Sequence, residues 1–486
     1  MQNFIKSSMN KWIHIIGVAG VATSAIAIMF KKNGWNVSGS DKAFFPPTSD
    51  YLKANSINIL VGFKADHLYD DKGRTPDLIM FQGTKGENNP EIVEANKLKL
   101  KMMNLTEMVS EYIVKEGNSL VVTGTYGKTT ITAALQKIFE KAGKEISYIY
   151  AGIPVDGRPN AMQKSEKTEL SIVEGDEYVT SINDKQSKFF SYKPKYLIIN
   201  AVEWEHIDRF KTGEEYLANF KTLVSQISAD GLIVANANSK NVVLATKDAR
   251  CKVIYYSIDR SRAEVTPQWE LMKSSKPLPC FVRLSSTDKG FDIIPYERKI
   301  IGEFNEENFL AAAVMAYELG IKKERIQDAI REFRGIKRRL EVNYESNNIV
   351  VIDDLGSSPP KAKGALQAIF DDYPDAKVYV VYEPNLGSRS IEALAEINKV
   401  FDCVDEVFIP RFSRIPNQKE ASRFAEIDMK NAISSTKTVF EPDDFKLVQK
   451  IVDKVIQEKS GEKVVLFLSS HSLRGMKEQL IKLLEK

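Results

Sequence analysis

Short, nearly uninterrupted apolar runs alternate with longer stretches of helical periodicity along almost the whole chain, the pattern of parallel sheets built from strand–helix–strand crossovers. Lys11–Ile16 predicts a first strand, the turn Gly17–Gly20 leads into an apolar helix, and Trp35–Gly39 and Asp77–Gln82 predict further strands of one doubly wound unit. Leu120–Thr123 opens a second series, with a helix over Thr129–Gly143, strands at Leu170–Val173, Tyr196–Asn200 and Leu232–Asn236, and a closing helix over Asn305–Leu319. The buried-strand pattern then recurs at Ile349–Ile352, Val378–Tyr382, Glu406–Ile409 and Lys463–Leu468. Polar Lys115–Asn118 and basic Lys337–Arg339 separate the three series, which predicts α/β domains at 1–117, 118–335 and 336–486.

A length of 486 residues exceeds what one hydrophobic core usually serves, and a 43% apolar share supplies side chains for several. The 68 basic and 65 acidic side chains nearly cancel to +3 and the lysines are scattered, so no nucleic-acid partner is expected. Cys251, Cys280 and Cys403 lie far apart without a CxxC pair, which argues against a zinc knuckle or a disulfide framework and favours a reducing compartment. No apolar run approaches the roughly 18 residues that span a bilayer. A soluble, cytoplasmic protein with no membrane partner is the expectation.

The most informative segment begins where Leu120–Thr123 runs into Gly124-Thr-Tyr-Gly-Lys128-Thr129-Thr130 and then a helix. Gly124 and Gly127 let successive backbone N–H groups turn inward, Lys128 brings a charge to the β- and γ-phosphates of a nucleotide, and Thr129 offers a hydroxyl to Mg2+. The helix N-terminus adds its dipole. A bare connecting turn is the other reading, and the strand-to-helix context favours the cradle. Two acidic segments follow, Glu174–Tyr178 after a strand and Glu203–Asp208 with His206 inside it. Mg2+ takes hard oxygen ligands, which a carboxylate at a strand end can supply beside phosphates. Taken singly, Glu174 also suits a solvated loop and His206 a structural hydrogen bond. Near the front, the Gly17–Gly20 turn is of a kind that also binds NAD, although Ala22 stands where the last glycine of a dinucleotide fingerprint is useful.

Val122–Thr130 resembles the ATP loop of the Mur ligase superfamily, whose nearer branches carry His at the position of Tyr126. Further segments resemble that family in order: Glu174–Tyr178, Glu203–Asp208, Gly302–Asn308, Gly335–Glu341 and Val351–Asp354. The resemblance implies an α/β chain of three domains, a Rossmann-like UDP-binding domain, a central P-loop ATPase domain and a C-terminal Rossmann-like domain that receives an amine. It implies ATP contacts from Gly124, Thr125, Gly127, Lys128, Thr129, Thr130, Asn305, Asn308, Arg339 and Asp354, with Lys128, Glu174, His206 and Arg339 as the catalytic set. By the same likeness Thr129 with Glu174 holds one Mg2+, Glu174 with His206 a second, and Gly17, Gly20, Ser40 and Asp41 bind the UDP-sugar. Phe304 replaces the family's usual His on the adenine side, and Ser357-Ser358 replaces a histidine pair.

The activity so implied is an ATP-dependent amide-bond ligase. It activates the carboxylate of UDP-N-acetylmuramate as an acyl phosphate and couples it to an amino acid or short peptide, releasing ADP and phosphate. Phe45–Ser49, Glu177-Tyr178 and Asp184–Phe189 look like members that add a preformed L-alanyl-γ-D-glutamyl-diaminopimelate peptide during murein recycling. The alternative within the family is addition of L-alanine. Leu355–Ser358 and Ser469–Ser472 match neither branch closely, which leaves room for another amine. Outside this chemistry stand a non-catalytic UDP-sugar-binding relative, disfavoured by the presence of Lys128, Thr129, Glu174 and His206, and an NAD-dependent oxidoreductase. A monomer or weak homodimer is expected.

Overall fold

A computed structural model describes residues 11–82, 88–180, 184–205, 209–272, 280–283, 292–385, 389, 391–413, 424–433 and 437–485. Three sheets organise them. The first comprises β1 (Trp12–Ile16), β2 (Asn36–Asp41), β3 (Asn58–Val61), β4 (Leu78–Phe81) and β5 (Met102–Asn104), all parallel in the order β3-β2-β1-β4-β5. Every residue of β1 is buried, as its continuous apolar run requires of a strand covered on both faces. Helix α1 (Val21–Lys32) makes the first crossover, and its residues Thr23–Phe30 are all buried. Helix α2 (Pro90–Lys97) starts sharply because Asn89 accepts the Glu91 N–H at 2.9 Å and Pro90 supplies a helical φ with no N–H to satisfy.

The second sheet contains β6 (Ser119–Thr123), β7 (Ile146–Ile149), β8 (Ala161–Met162), β9 (Leu170–Glu174), β10 (Tyr196–Ile199), β11 (Leu232–Asn236), β12 (Lys252–Ser257), β13 (Trp269–Met272), β14 (Cys280–Arg283) and β15 (Asp292–Pro295). Their order is β15-β14-β13-β12-β11-β10-β6-β9-β7-β8. Strand β6 lies between β9 and β10 and pairs in parallel with both. The chain leaves β6 toward β7 on one side and later returns to β10 on the other, so the carboxyl ends of β6, β9 and β10 border the crevice where open α/β sheets bind ligands. Helix α3 (Lys128–Lys141) follows β6, and helix α4 (Glu303–Glu318) comes after β15.

The third sheet has β16 (Glu341–Ser346), β17 (Ile349–Asp354), β18 (Lys377–Glu383), β19 (Glu406–Ile409), β20 (Lys437–Phe440) and β21 (Lys463–Ser469) in the order β16-β17-β21-β18-β19-β20. The parallel pattern gives way toward the sheet edges. β16 runs antiparallel to β17, β8 to β7, and β13–β15 form an antiparallel extension. Short hairpin connections account for this at β16–β17, since a parallel partner requires a long crossover.

The chain forms two compact units, Met1–Lys299 with Phe304–Arg334, and Ile300–Glu303 with Gly335–Lys486. The first holds two of the three sheets because one apolar core runs through both, from Ile26 and Met29 of α1 and Met80 of β4 to Val121 of β6 and Leu197 of β10. Among the described residues no helix is long and apolar enough to cross a membrane.

Candidate functional site

At the carboxyl end of β6 the backbone turns through Gly124 (φ +128°) and Gly127 (φ +84°). A Cβ on Gly124 would lie 2.7 Å from the Ala201 carbonyl oxygen, and one on Gly127 would lie 2.3 Å from Asn308 Oδ1. Both positions thus require glycine on space as well as on φ. Gly127 caps α3 without a side-chain acceptor, and no acidic residue occupies the first turn. The first-turn N–H groups of a helix have no acceptor within the helix and, with its dipole, suit an anion.

Lys128 folds back over this loop. Its Nζ donates to the Gly124 carbonyl at 2.6 Å and to Glu177 Oε2 at 3.0 Å. Glu177 is 1% exposed, so the pair is a largely desolvated one. The neighbouring Asp176 feels the same charge: burial pushes its carboxyl up, but Lys188 and then Lys128 hold it below the usual carboxylate range. Thr129 Oγ1 donates to Glu174 Oε1 at 3.0 Å, while Glu174 Oε2 accepts the Ala151 N–H at 2.7 Å. Thr130 is buried in the same helical turn.

Side chains from distant strands fix the loop's shape. The Thr125 hydroxyl donates to the Glu203 carbonyl at 2.9 Å and accepts the Glu203 N–H at 2.8 Å, which ties the loop to the segment after β10. Asn200 donates to the Tyr126 carbonyl at 3.3 Å and accepts from the buried Tyr256 hydroxyl. Asn308 of α4, beside Gly127, donates to Asn305 Oδ1 at 3.2 Å, and both amides are buried. The large aromatic residues Tyr126, Trp204 and Phe304 are exposed. The Tyr126 phenol is pushed up to about 12 by partial burial and by the carboxylates of Glu203, Glu205 and Glu307.

The residues present suit Mg2+. The Thr129 hydroxyl and the Glu174 carboxylate are hard oxygen donors within 3.0 Å of one another. Among the described residues no group of three or more His, Cys, Asp or Glu side chains is arranged to hold a metal. His206 lies outside the described residues.

In the first sheet, Gly17 (φ +86°) and Val18 donate their N–H groups to the Ser40 carbonyl at 2.8 and 3.1 Å, and Ala19 N–H donates to Asp41 Oδ2 at 3.0 Å. Gly20 caps α1, where a Cβ would press on Thr23 Oγ1 at 2.9 Å and Gln82 Nε2 at 3.0 Å. The turn is therefore shaped by the end of β2, with Ser40 and Asp41 directly beneath Gly17–Ala19.

The second unit contains Arg339 and Asp354. Arg339 is exposed, whereas its neighbour Arg338 is buried and structural, donating to Asp353 and to the Ser469 and His471 carbonyls, the latter two at 2.6 Å. Asp354 closes β17 and accepts the Leu340 N–H at 2.9 Å and the Gly356 N–H at 2.7 Å. Burial outweighs these donors and the nearby Arg339, raising its carboxyl from 3.8 to about 6. Between pH 3.8 and about 6 the folded chain therefore holds a proton there that the unfolded chain has released. The resulting stabilisation is complete below pH 3.8 and is lost as pH rises through about 6. Chemical denaturation between pH 4 and 7 is expected to show this falling component in the wild type and its loss in Asp354→Asn; equal slopes would refute it.

Sequence reasoning named Lys128, Thr129 and Glu174, and the structure gathers them around one loop with Gly124, Thr125, Gly127, Thr130, Asn305 and Asn308. It did not name Glu177 or Asn200 as site residues. For Glu177 the available signal was its place in the acidic segment three residues after Glu174; for Asn200 there was only its place at the end of a predicted strand.

A strand, a glycine turn and a helix opened by Lys-Thr-Thr, with the buried Glu177 facing the lysine and the half-buried Glu174 facing the threonine, define a nucleotide-dependent phosphoryl-transfer site. The chain belongs to the Mur ligase family, whose members are ATP-dependent amide-bond ligases: residues 122–316 match the Mur ligase middle domain and residues 12–116 the Mur ligase family catalytic domain. It is 28% identical over 407 residues to a UDP-N-acetylmuramate–L-alanine ligase of Clostridium botulinum, with 84% of each chain covered. Among solved structures it resembles the UDP-N-acetylmuramate–alanine ligase of Thermotoga maritima (TM-score 0.74, 21% identity, 97% of this chain and 99% of that one). It also resembles a murein peptide ligase of Psychrobacter arcticus (TM-score 0.69, 21% identity, 97% and 98% covered). At these identities the two structures speak to the fold.

Proposed function

We propose that this ligase transfers the γ-phosphoryl group of ATP to the lactyl carboxylate of UDP-N-acetylmuramate and couples the acyl phosphate to the amine of a short peptide, releasing ADP and phosphate. The arrangement that carries this reading is Lys128 held against Glu177 at an open helix N-terminus, with Thr129 and Glu174 paired beside it. Arriving phosphates draw Lys128 from Glu177 and are cradled by Gly124–Thr130, while Asn305 and Asn308 support the loop from α4. Thr129, Glu174 and His206 are the residues to hold Mg2+, which neutralises charge on the transferring group when bound. Arg339 and Asp354 contribute from the C-terminal domain. Gly17, Gly20, Ser40 and Asp41 receive the sugar nucleotide, and 1–117, 118–335 and 336–486 are the functional domains.

The peptide amine is favoured by Phe45–Ser49, Glu177-Tyr178 and Asp184–Phe189, whose strings resemble the tripeptide-adding branch. A second reading, addition of L-alanine, is favoured by the clostridial relatives that carry that name. Phosphate release with UDP-N-acetylmuramate decides between them. The tripeptide L-alanyl-γ-D-glutamyl-diaminopimelate is expected to exceed L-alanine in kcat/KM by roughly tenfold or more, the worth of one charged hydrogen-bonded contact. The reverse preference would establish the alanine ligase. No release with either would point to another amine.

A further inference from the structure

Beneath the Gly17–Gly20 turn lies a polar network that the phosphoryl-transfer chemistry does not use. Glu91, the second residue of α2, is 0% exposed. Its Oε2 accepts the Ser40 hydroxyl at 2.6 Å, and its Oε1 accepts the Lys64 N–H at 3.2 Å and lies 2.7 Å from His67 Nδ1. His14 of β1, also 0% exposed, points Nε2 toward Glu91 Oε2 at 3.6 Å and places Nδ1 2.8 Å from Ser38 Oγ, which in turn accepts from Trp12 Nε1 at 2.8 Å. One carboxylate thus joins β1, β2, the Lys64–His67 turn and α2.

A buried carboxylate is costly unless it is paired, so the placement of so many donors around it calls for a reason. Burial pushes the Glu91 carboxyl up, but the pull of His14 and the hydrogen bonds of Ser40 and His67 outweigh it and hold it below the ordinary value. The group is an anion at neutral pH, and its shortest hydrogen bond comes from Ser40. Ser40 is the residue whose carbonyl receives the Gly17 and Val18 N–H groups. The adjoining Gly39 lets Val18 settle on β2, since a Cβ there would stand 2.6 Å from Val18 Cβ.

We propose that Glu91 is a positioning residue for the sugar-nucleotide turn: it fixes Ser40 from below, and Ser40 in turn sets the backbone of Gly17–Ala19 that faces the UDP moiety. This rests on the assignment of that turn to UDP. Glu91 acts without reaching the nucleotide, because its carboxylate is sealed from solvent. The consequence is a split in kinetics: loss of the charge weakens sugar-nucleotide binding and leaves phosphoryl transfer at β6 intact.

The experiment uses the full chain and UDP as the probe. Glu91→Gln keeps the shape and removes the charge, and is expected to weaken UDP binding by about tenfold or more, as loss of a hydrogen bond to a charged group does. The KM for ATP and kcat at saturating UDP-N-acetylmuramate should stay within about twofold of wild type, and Glu91→Asp should recover part of the affinity. In a Ser40→Ala background Glu91→Gln should cost little more, since coupled residues are non-additive. Unchanged UDP affinity in Glu91→Gln overturns this inference alone. So does a uniform loss of UDP binding, ATP binding and thermal stability, which marks a merely structural role. A wild-type chain with no UDP affinity overturns the assignment of the turn itself, and this inference with it. Should Glu91→Gln fail to fold, the wild type still decides: the chain has four histidines, and saturation with UDP should shift the imidazole 15N signals of His14 and His67. Unmoved imidazoles would refute the coupling.

Discussion

Lys128→Ala is expected to lower ligation by about 10²–10³-fold or more, the usual effect of removing one preorganised charge from a phosphoryl- or acyl-transfer transition state. The side chain serves ligand more than core, but its removal has a second effect. Glu177 is 1% exposed, and it loses the cation that neutralises it. Breaking a buried pair from one side typically costs several kcal/mol, about 3–5 at full burial. Lys128 is itself partly exposed, which reduces that figure, yet some destabilisation should accompany Lys128→Ala. The double variant Lys128→Ala/Glu177→Gln separates the two effects: it should regain thermal stability and remain inactive. Turnover restored by the second substitution would mean that Lys128 matters for structure alone, and near-wild-type ligation in the single variant would remove the phosphate-loop assignment.

Legibility in the sequence followed burial. Runs such as Trp12–Ile16, Leu120–Thr123 and Lys463–Leu468 are apolar at nearly every position because both faces of a parallel strand are covered, and a continuous β-branched run reads unambiguously between turn residues. Strands β13–β15 carry a weaker signal, because burial alternates along β13, with Trp269 and Leu271 buried and Met272 exposed, as suits strands of the antiparallel extension covered mainly on one face. Gly124, Gly127 and Lys128 were legible because the phosphate cradle is local, written in consecutive residues. The parts of the site assembled by tertiary contact were not. Glu177 is 49 residues from Lys128, Asn308 is far along the chain from Gly127, and Glu91 is 51 residues from Ser40. No spacing rule links such pairs. Each of the three apolar series forms one sheet, but the core shared by α1, β4 and β6 that runs through two of them depends on packing between distant segments.

A mixture of the enzyme, ATP, Mg2+ and UDP-N-acetylmuramate without any amine is expected to yield an acyl phosphate that hydroxylamine traps as the muramyl hydroxamate. The argument begins with the site. Its charged groups, Lys128, Glu174 and Glu177, surround the proposed phosphate loop and are positioned by contacts within the chain. Activation of the carboxylate therefore needs only the two substrates that carry the reacting oxygen and phosphorus, brought within near-attack distance. On the proposed route the amine then attacks the acyl carbon and expels phosphate, so each ligation is expected to consume ATP to ADP and phosphate. Trapping should vanish with a UDP-sugar that lacks the lactyl carboxylate, and it should fall in parallel with ligation in Lys128→Ala. Ligation accompanied by AMP in place of ADP, with no trappable hydroxamate, would mean an adenylate intermediate and would overturn the proposed acyl-phosphate route.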